Sequence, residues 1–215
     1  MVMMKDSIES VYWHLYSSIP FCYPYIVRRE LEGCKSILDI GCGAFPLVGR
    51  IGLNPDYSVG VEVVPEYAEK AKEHLNYVIT DDIRNIEFPK DSFENVVATD
   101  VIEHFEKSEA LSLISDMKKW ARKKVVIITP NTKLPGFVDS DLPVNLKEYQ
   151  KHKCVFFAEQ LKDLGFRVYG IRGIKYVKYN LRKKIPVLRI IGLLTQPVVK
   201  NRAGLASGLL GILEI

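Results

Sequence analysis

Gly41 and Gly43 stand in LDIGCGAFP, Leu38 to Pro46, directly after a short apolar run. Glycines there permit a tight turn and let a ligand approach the backbone closely. Three carboxylates surround them in sequence. Asp39 lies two residues before Gly41, Glu62 lies 19 residues after Gly43, and Asp82 falls in TDDIRNIEFPKDSFENVV. An acid has few structural reasons to end an apolar run, so Glu62 reads as functional. Further along, DVIEHF brings Asp100, Glu103 and His104 together, and KHKCVFF brings His152. Imidazole is the natural general base near neutral pH. His14, in YWHLY, and His74, at a helix end, complete the histidines.

Groups this far apart in sequence need a scaffold that gathers them. Apolar runs at 36–40, 57–63, 76–80, 94–99, 124–129 and 166–171 predict strands, and LLGILEI, 209–215, predicts a last one. The first five have no polar alternate face, as in a parallel sheet covered on both sides by helices. Helices are predicted at 7–17, 24–33, 65–74, 108–120 and 156–165. Pro65 suits a helix start, Ser108 a cap and Gly165 a helix end. Ala110, Leu111, Ile114 and Met117 should share the buried face of the fourth helix. In an open parallel sheet, ligands bind at the carboxyl ends of the strands, where the glycine turn lies.

The motifs LDIGCG, VGVE, DDIRNIEF, SFENVVATDVIEHF, VVIITPN and HKCVFFAEQLKDLGFRV follow one another in order. Together they resemble the class I S-adenosylmethionine-dependent methyltransferases, of the small-molecule, type-11-like kind, from about Ser36 to Ile171. The resemblance implies an α/β fold: a Rossmann-like three-layer sandwich whose seven-stranded, mostly parallel sheet has an antiparallel last strand and the order 3-2-1-4-5-7-6. It implies S-adenosylmethionine as cofactor and S-adenosylhomocysteine as product. Glu62 would then hold the ribose, Val63 face the adenine, and Asp82 accept from the adenine amino group beside the Ile83 backbone. Gly41, Cys42 and Gly43 would pass the methionine moiety. Asp39 would organise its ammonium end or brace the loop, and Asp100 would stand where donor and acceptor meet. Glu94 replaces the family's usual aspartate and reads as structural. The competing cofactor is NAD, whose G-x-G-x-x-G pattern fails here because Pro46 occupies the third glycine position.

Methyl transfer needs alignment above all, and a base only if the nucleophile must lose a proton. His104 is the candidate catalytic base. D-x-x-E-H also resembles the E-x-x-E-H metal site of some O-methyltransferases, but Asp is shorter than Glu and EH recurs in relatives without metal, so no metal is assigned.

Charge divides the chain unevenly. Residues 147–215 hold 14 Lys and Arg against 4 Asp and Glu, leaving 16 basic and 22 acidic residues in 1–146. The chain reads as a single domain over 1–215. It comprises an N-terminal helical cap at 1–35 closing over the cofactor, a cofactor-binding core at 36–171, a basic lid or substrate insertion at 172–208 and a final strand at 209–215. The segment LRKKIPVLRIIGLLTQPVV mixes cations with apolar residues. It reads either as an amphipathic lid on the sheet edge or as an interfacial segment meeting an anionic substrate or a membrane surface. The acceptor is expected to be a small metabolite, lipid or sugar intermediate. RNA methylation and non-catalytic S-adenosylmethionine binding are the alternatives; no RNA-binding module is visible. Cys22, Cys34, Cys42 and Cys154 include no CxxC pair, which suits a reducing compartment and disfavours zinc. With no secretory signal and no transmembrane run, a cytoplasmic protein is expected.

Overall fold

A computed structural model describes residues 16–132, 143–175 and 186–215. The predicted helix over 7–17 lies almost wholly outside them. Seven strands form one sheet: β1 (Ser36–Ile40), β2 (Tyr57–Val61), β3 (Tyr77–Ile79), β4 (Phe93–Thr99), β5 (Ala121–Pro130), β6 (Arg167–Ile174) and β7 (Ala206–Glu214). Their order is β3-β2-β1-β4-β5-β7-β6. Pairings among β1 to β5 are parallel, and β7 runs antiparallel between β5 and β6. This is the expected Rossmann-like sandwich.

Alternation along the strands builds two cores. Leu38, Ile40, Val96, Ala98, Val125 and Ile127 pack on one face. Ile37, Val97, Val126 and Ile128 pack on the other, as a period of two dictates. The first face is covered by α3 (Lys107–Trp120) and α4 (Ala158–Asp163), through Ala110, Leu113, Ile114, Met117, Trp120, Ala158 and Leu161. The second is covered by α1 (Tyr23–Leu31) and α2 (Pro65–Ala71), through Tyr23, Ile26, Val27, Leu31 and Ala71.

Some expectations shift. The α3 helix starts before Ser108, with the Glu106 N–H donating to Glu109 Oε2 at 3.0 Å. Leu111 is exposed and Leu113 takes its place in the core, because i, i+3, i+4, i+7 counted from Ala110 reaches Leu113, Ile114 and Met117. Glu94 is structural: it accepts from Lys35 N at 2.9 Å and pairs with Lys123 at 2.8 Å.

The largest difference lies at the supposed insertion. Residues 172–174 and 206–208 belong to strands, so β6 and β7 are longer than their apolar runs. Glycine and arginine interrupt the pattern because β6 is irregular between Ile171 and Ile174, a bulge. Helix α5 (Pro186–Lys200) crosses this strand. At Gly173, with φ +65°, an added Cβ would lie 2.4 Å from the Gly192 carbonyl oxygen. Gln196, fully buried, accepts from Gly173 N at 3.0 Å and donates to Gly170 O at 2.9 Å. It thus satisfies backbone groups that the bulge withdraws from the ladder.

Gly173→Ala should therefore combine backbone strain with a helix–strand clash. A loss of about 2–4 kcal/mol in urea unfolding is expected. An unchanged midpoint would show that α5 is not held where the glycine pair places it.

Candidate functional site

Parallel strands bring their carboxyl ends to one side of the sheet, so the loops after β1, β2, β3 and β4 meet there. They enclose a cleft of about 420 Å³. Gly41 and Gly43 from the first loop, Glu62 and Val63 from the second, Asp82 and Ile83 from the third, and Asp100 and His104 from the fourth all line it. Eight predicted residues thus converge from four loops.

The first loop turns through two left-handed glycines, Gly41 at φ +60° and Gly43 at φ +62°. A Cβ at Gly41 would stand 2.4 Å from Val101 Cγ2, so glycine is required there for space as well as for backbone conformation. Glu62 ties the loops together. Its Oε2 accepts from Gly43 N at 2.8 Å and its Oε1 from Val64 N at 2.9 Å. Burial raises its pKa against these bonds. Each oxygen keeps a further acceptor position.

Two predicted residues lie behind the cleft instead of lining it. Asp39 is buried and accepts from Leu47 N at 2.9 Å, so here it braces the loop. Burial pushes its pKa up to about 6. The Cys42 N–H donates to Val61 O at 3.2 Å, and its side chain packs in the core. Residue 42 falls between the two glycines of the turn, so its side chain points opposite to the cleft. Nor does α1 line the cleft; it belongs to the sheet-covering layer.

Asp82 begins a short 3₁₀ turn. Its carboxylate accepts from Arg84 N at 3.0 Å and pairs with the Arg84 guanidinium at 2.6 Å. Burial raises its pKa, but the Arg84 bonds and charge outweigh that and leave it lowered. Arg84 continues to Glu109 at 3.1 Å. Arg84, Tyr67, Asn145, Tyr149 and Lys153 also line the cleft. The sequence reading missed them because nothing in their spacing marks them.

Asp100 lies in left-handed backbone, φ +55°, and so does Arg172, φ +63°. They form a two-pronged ion pair: Arg172 Nη1 donates to Oδ1 at 2.8 Å and Nη2 to Oδ2 at 2.5 Å. Such non-glycine conformations each cost about 1–3 kcal/mol and concentrate at functional sites. Burial raises the Asp100 pKa, and the Arg172 charge more than reverses this. The one sequence signal for Arg172 was its position between Gly170 and Gly173 within a strand, which points to a bulge.

Beside Asp100, Glu103 is 1% exposed. It accepts from Thr129 Oγ1 at 2.9 Å, and its Oε1 has no hydrogen-bond partner among the described residues. Burial and the Asp100 charge push its pKa up to about 8. His104 Nδ1 lies 3.2 Å from Lys151 O. With Nδ1–H donating there, the ring lone pair sits on Nε2. Burial lowers the His104 pKa, favouring the neutral ring. His152 packs against it with ring centroids 5.1 Å apart. Ligand atoms of Glu103, His104 and His152 lie within 4.8 Å of one another. Asp100, held by Arg172, stands outside that group.

Residues 37–124 match the sequence profile of a family described as "Methyltransferase domain". Over those residues, less than half of its length, the chain is similar to methyltransferase domains. No curated protein matches the chain. Among solved structures, it is similar to a SAM dependent methyltransferase from Archaeoglobus fulgidus, with 21% identity over 89% of this chain and 94% of that one, at a TM-score of 0.52. An S-adenosylmethionine dependent methyltransferase from Mesorhizobium loti shares 13% identity over 89% and 97% of the two chains, with a TM-score of 0.52. A SAM dependent methyltransferase from Aquifex aeolicus shares 16% identity over 93% of each, with a TM-score of 0.50. At these identities the likeness is one of fold. The cleft also fits S-adenosylmethionine on its own chemistry: a glycine turn with no room for a side chain at Gly41, and acids at the next two strand ends.

The raised pKa of Glu103 makes the stability of this protein sensitive to pH. The native state keeps a proton that the unfolded chain, with an ordinary value near 4.5, releases. Stability present at low pH is therefore lost as pH rises toward about 8. Glu103→Gln should remove that slope: from about pH 5 to about pH 8, wild type should lose about 1–3 kcal/mol relative to the variant. Parallel pH profiles in urea titrations would contradict a protonated Glu103. Asp39 titrates in both proteins and cancels.

Proposed function

We propose that the protein transfers a methyl group from S-adenosylmethionine to a small acceptor, a metabolite, a lipid or a sugar intermediate. The observation that carries this reading is Glu62, whose two carboxylate oxygens are fixed by Gly43 N and Val64 N while it lines the cleft. A carboxylate so immobilised presents its remaining lone pairs to a diol without further loss of side-chain freedom. Val63 and Ile83 supply apolar walls for an adenine, and Asp82 with Arg84 supplies the polar edge. We read Gly41 and Gly43 as the wall beside the methionine moiety.

When bound, S-adenosylmethionine supplies a methyl carbon activated by its sulfonium. The chain's own residues then have three tasks. The loops after β1 and β2 hold the donor in one orientation, and alignment of that kind accounts for much of the rate. Asp100 and Arg172 stand at the acceptor end, where Arg172 suits an anionic group on the acceptor. Neutral His104, oriented by Lys151 O, accepts a proton at Nε2 if the acceptor atom carries one.

Calorimetric titration of S-adenosylmethionine, S-adenosylhomocysteine and NAD into wild type, Glu62→Ala and Glu62→Gln tests the reading. Both sulfur compounds should bind, and the substitutions should weaken them about 10- to 100-fold. Preference for NAD, or no binding of the pair by folded wild type, would overturn it.

A further inference from the structure

Helix α5 is amphipathic in the reverse of the usual sense. Its inner face, Gly192, Thr195, Gln196 and Val199, meets β6 largely through hydrogen bonds and bare backbone. Gln196 binds Gly170 O and Gly173 N, and Thr195 Oγ1 accepts from Ile174 N at 3.2 Å. The outer face is apolar. Leu194 is 71% exposed and Val198 55% exposed, with Pro197 exposed between them and Leu205 37% exposed just beyond. A helix packed on a globular domain normally turns its apolar stripe inward. Here the strand takes Thr195, Gln196 and Val199 and leaves Leu194, Pro197 and Val198 to solvent.

The stretch of sequence that carries α5 is basic, although Arg167 and Arg172 within it are paired with Glu30 and Asp100. No Asp or Glu occurs between Asp163 and Glu214, and ten Lys and Arg do. Lys200 and Arg202 follow the exposed stripe directly. An apolar helix face amid cations is the pattern of a segment lying in the headgroup layer of an anionic bilayer. Phosphate alone would account for the cations but not for Leu194 and Val198. A single-stranded nucleic acid would call for aromatic side chains to stack on, and Leu194, Pro197, Val198 and Leu205 offer none. No described helix is long and apolar enough to cross a membrane, so the contact is peripheral.

We propose that the outer face of α5, Leu194, Pro197 and Val198 with the flanking Lys200 and Arg202, docks on an anionic lipid surface. Docking is separate from cofactor binding, since none of the side chains described on α5, those of 191–200, lines the cleft.

The test is co-sedimentation of the full chain with vesicles of phosphatidylcholine alone and of phosphatidylcholine mixed with phosphatidylglycerol. Wild type should bind the anionic vesicles selectively, and less as salt rises. Leu194→Glu/Val198→Glu should weaken that binding about 10- to 100-fold. Both positions are exposed, so the fold should persist, and an unchanged S-adenosylhomocysteine titration would show that it does. In a second readout, Leu194→Trp should give an emission blue shift on adding anionic vesicles. Absence of vesicle binding by wild type would overturn the proposal, as would binding indifferent to the Glu substitutions. So would a dimer that the Glu substitutions dissolve, because a second copy would then cover the face. Failure to bind the methyl donor would sink the functional reading and leave the vesicle result standing.

Discussion

The site depends on one carboxylate bound at both ends. Glu62 joins the turn after β1 to the turn after β2 through Gly43 N and Val64 N. Without it, both loops would be left with a backbone N–H donor and no acceptor at the mouth of the sheet. Burial disfavours the charged form, while the two N–H groups favour it. Burial is the larger effect, so the pKa of Glu62 stands above its ordinary value. Asp39 does similar work one layer deeper by holding Leu47 N. The glycine turn is therefore braced from below and from the side before any ligand arrives.

A second organising feature sits at the opposite wall. The bulge in β6 turns Arg172 toward Asp100, and the Gly173–Gly192 approach with Gln196 repairs the backbone that the bulge disrupts. The ion pair joins two residues that each occupy unfavourable backbone conformations. Neither conformation would persist alone; the bidentate geometry and the packing of α5 hold both. The Asp100–Arg172 pair and the helix on the sheet edge are thus mechanically one unit.

The parts of this molecule that obey short-range rules were readable in the sequence. Apolar runs located all seven strands, and the glycine turn with Glu62 and Asp82 located part of the cleft lining. Strand order came from resemblance, since pairing is a long-range property that no local pattern carries. Cys42 was misplaced because a glycine turn hides which way the intervening side chain points. Arg84 and Arg172 escaped because a charged residue next to a turn or within a strand looks the same whether it is solvated or aimed at a cleft. The limits of β6 and β7 were set too narrowly because glycine, arginine and serine dilute the apolar pattern where backbone pairing still continues.

The placement of β7 orders events during folding. β6 pairs with β7 and has no pairing of its own with β5. It reaches the sheet only once residues 206–214 have docked antiparallel along 124–130. Such non-local closure is slow compared with assembly of the neighbouring β–α units. A nascent or refolding chain can therefore gather β1 to β4, and with them the glycine turn, Glu62 and Asp82, while Arg172 is still far from Asp100. The end of the cleft at Gly43, Glu62 and Asp82 matures first, and the wall at Asp100 and Arg172 is the last part to take shape.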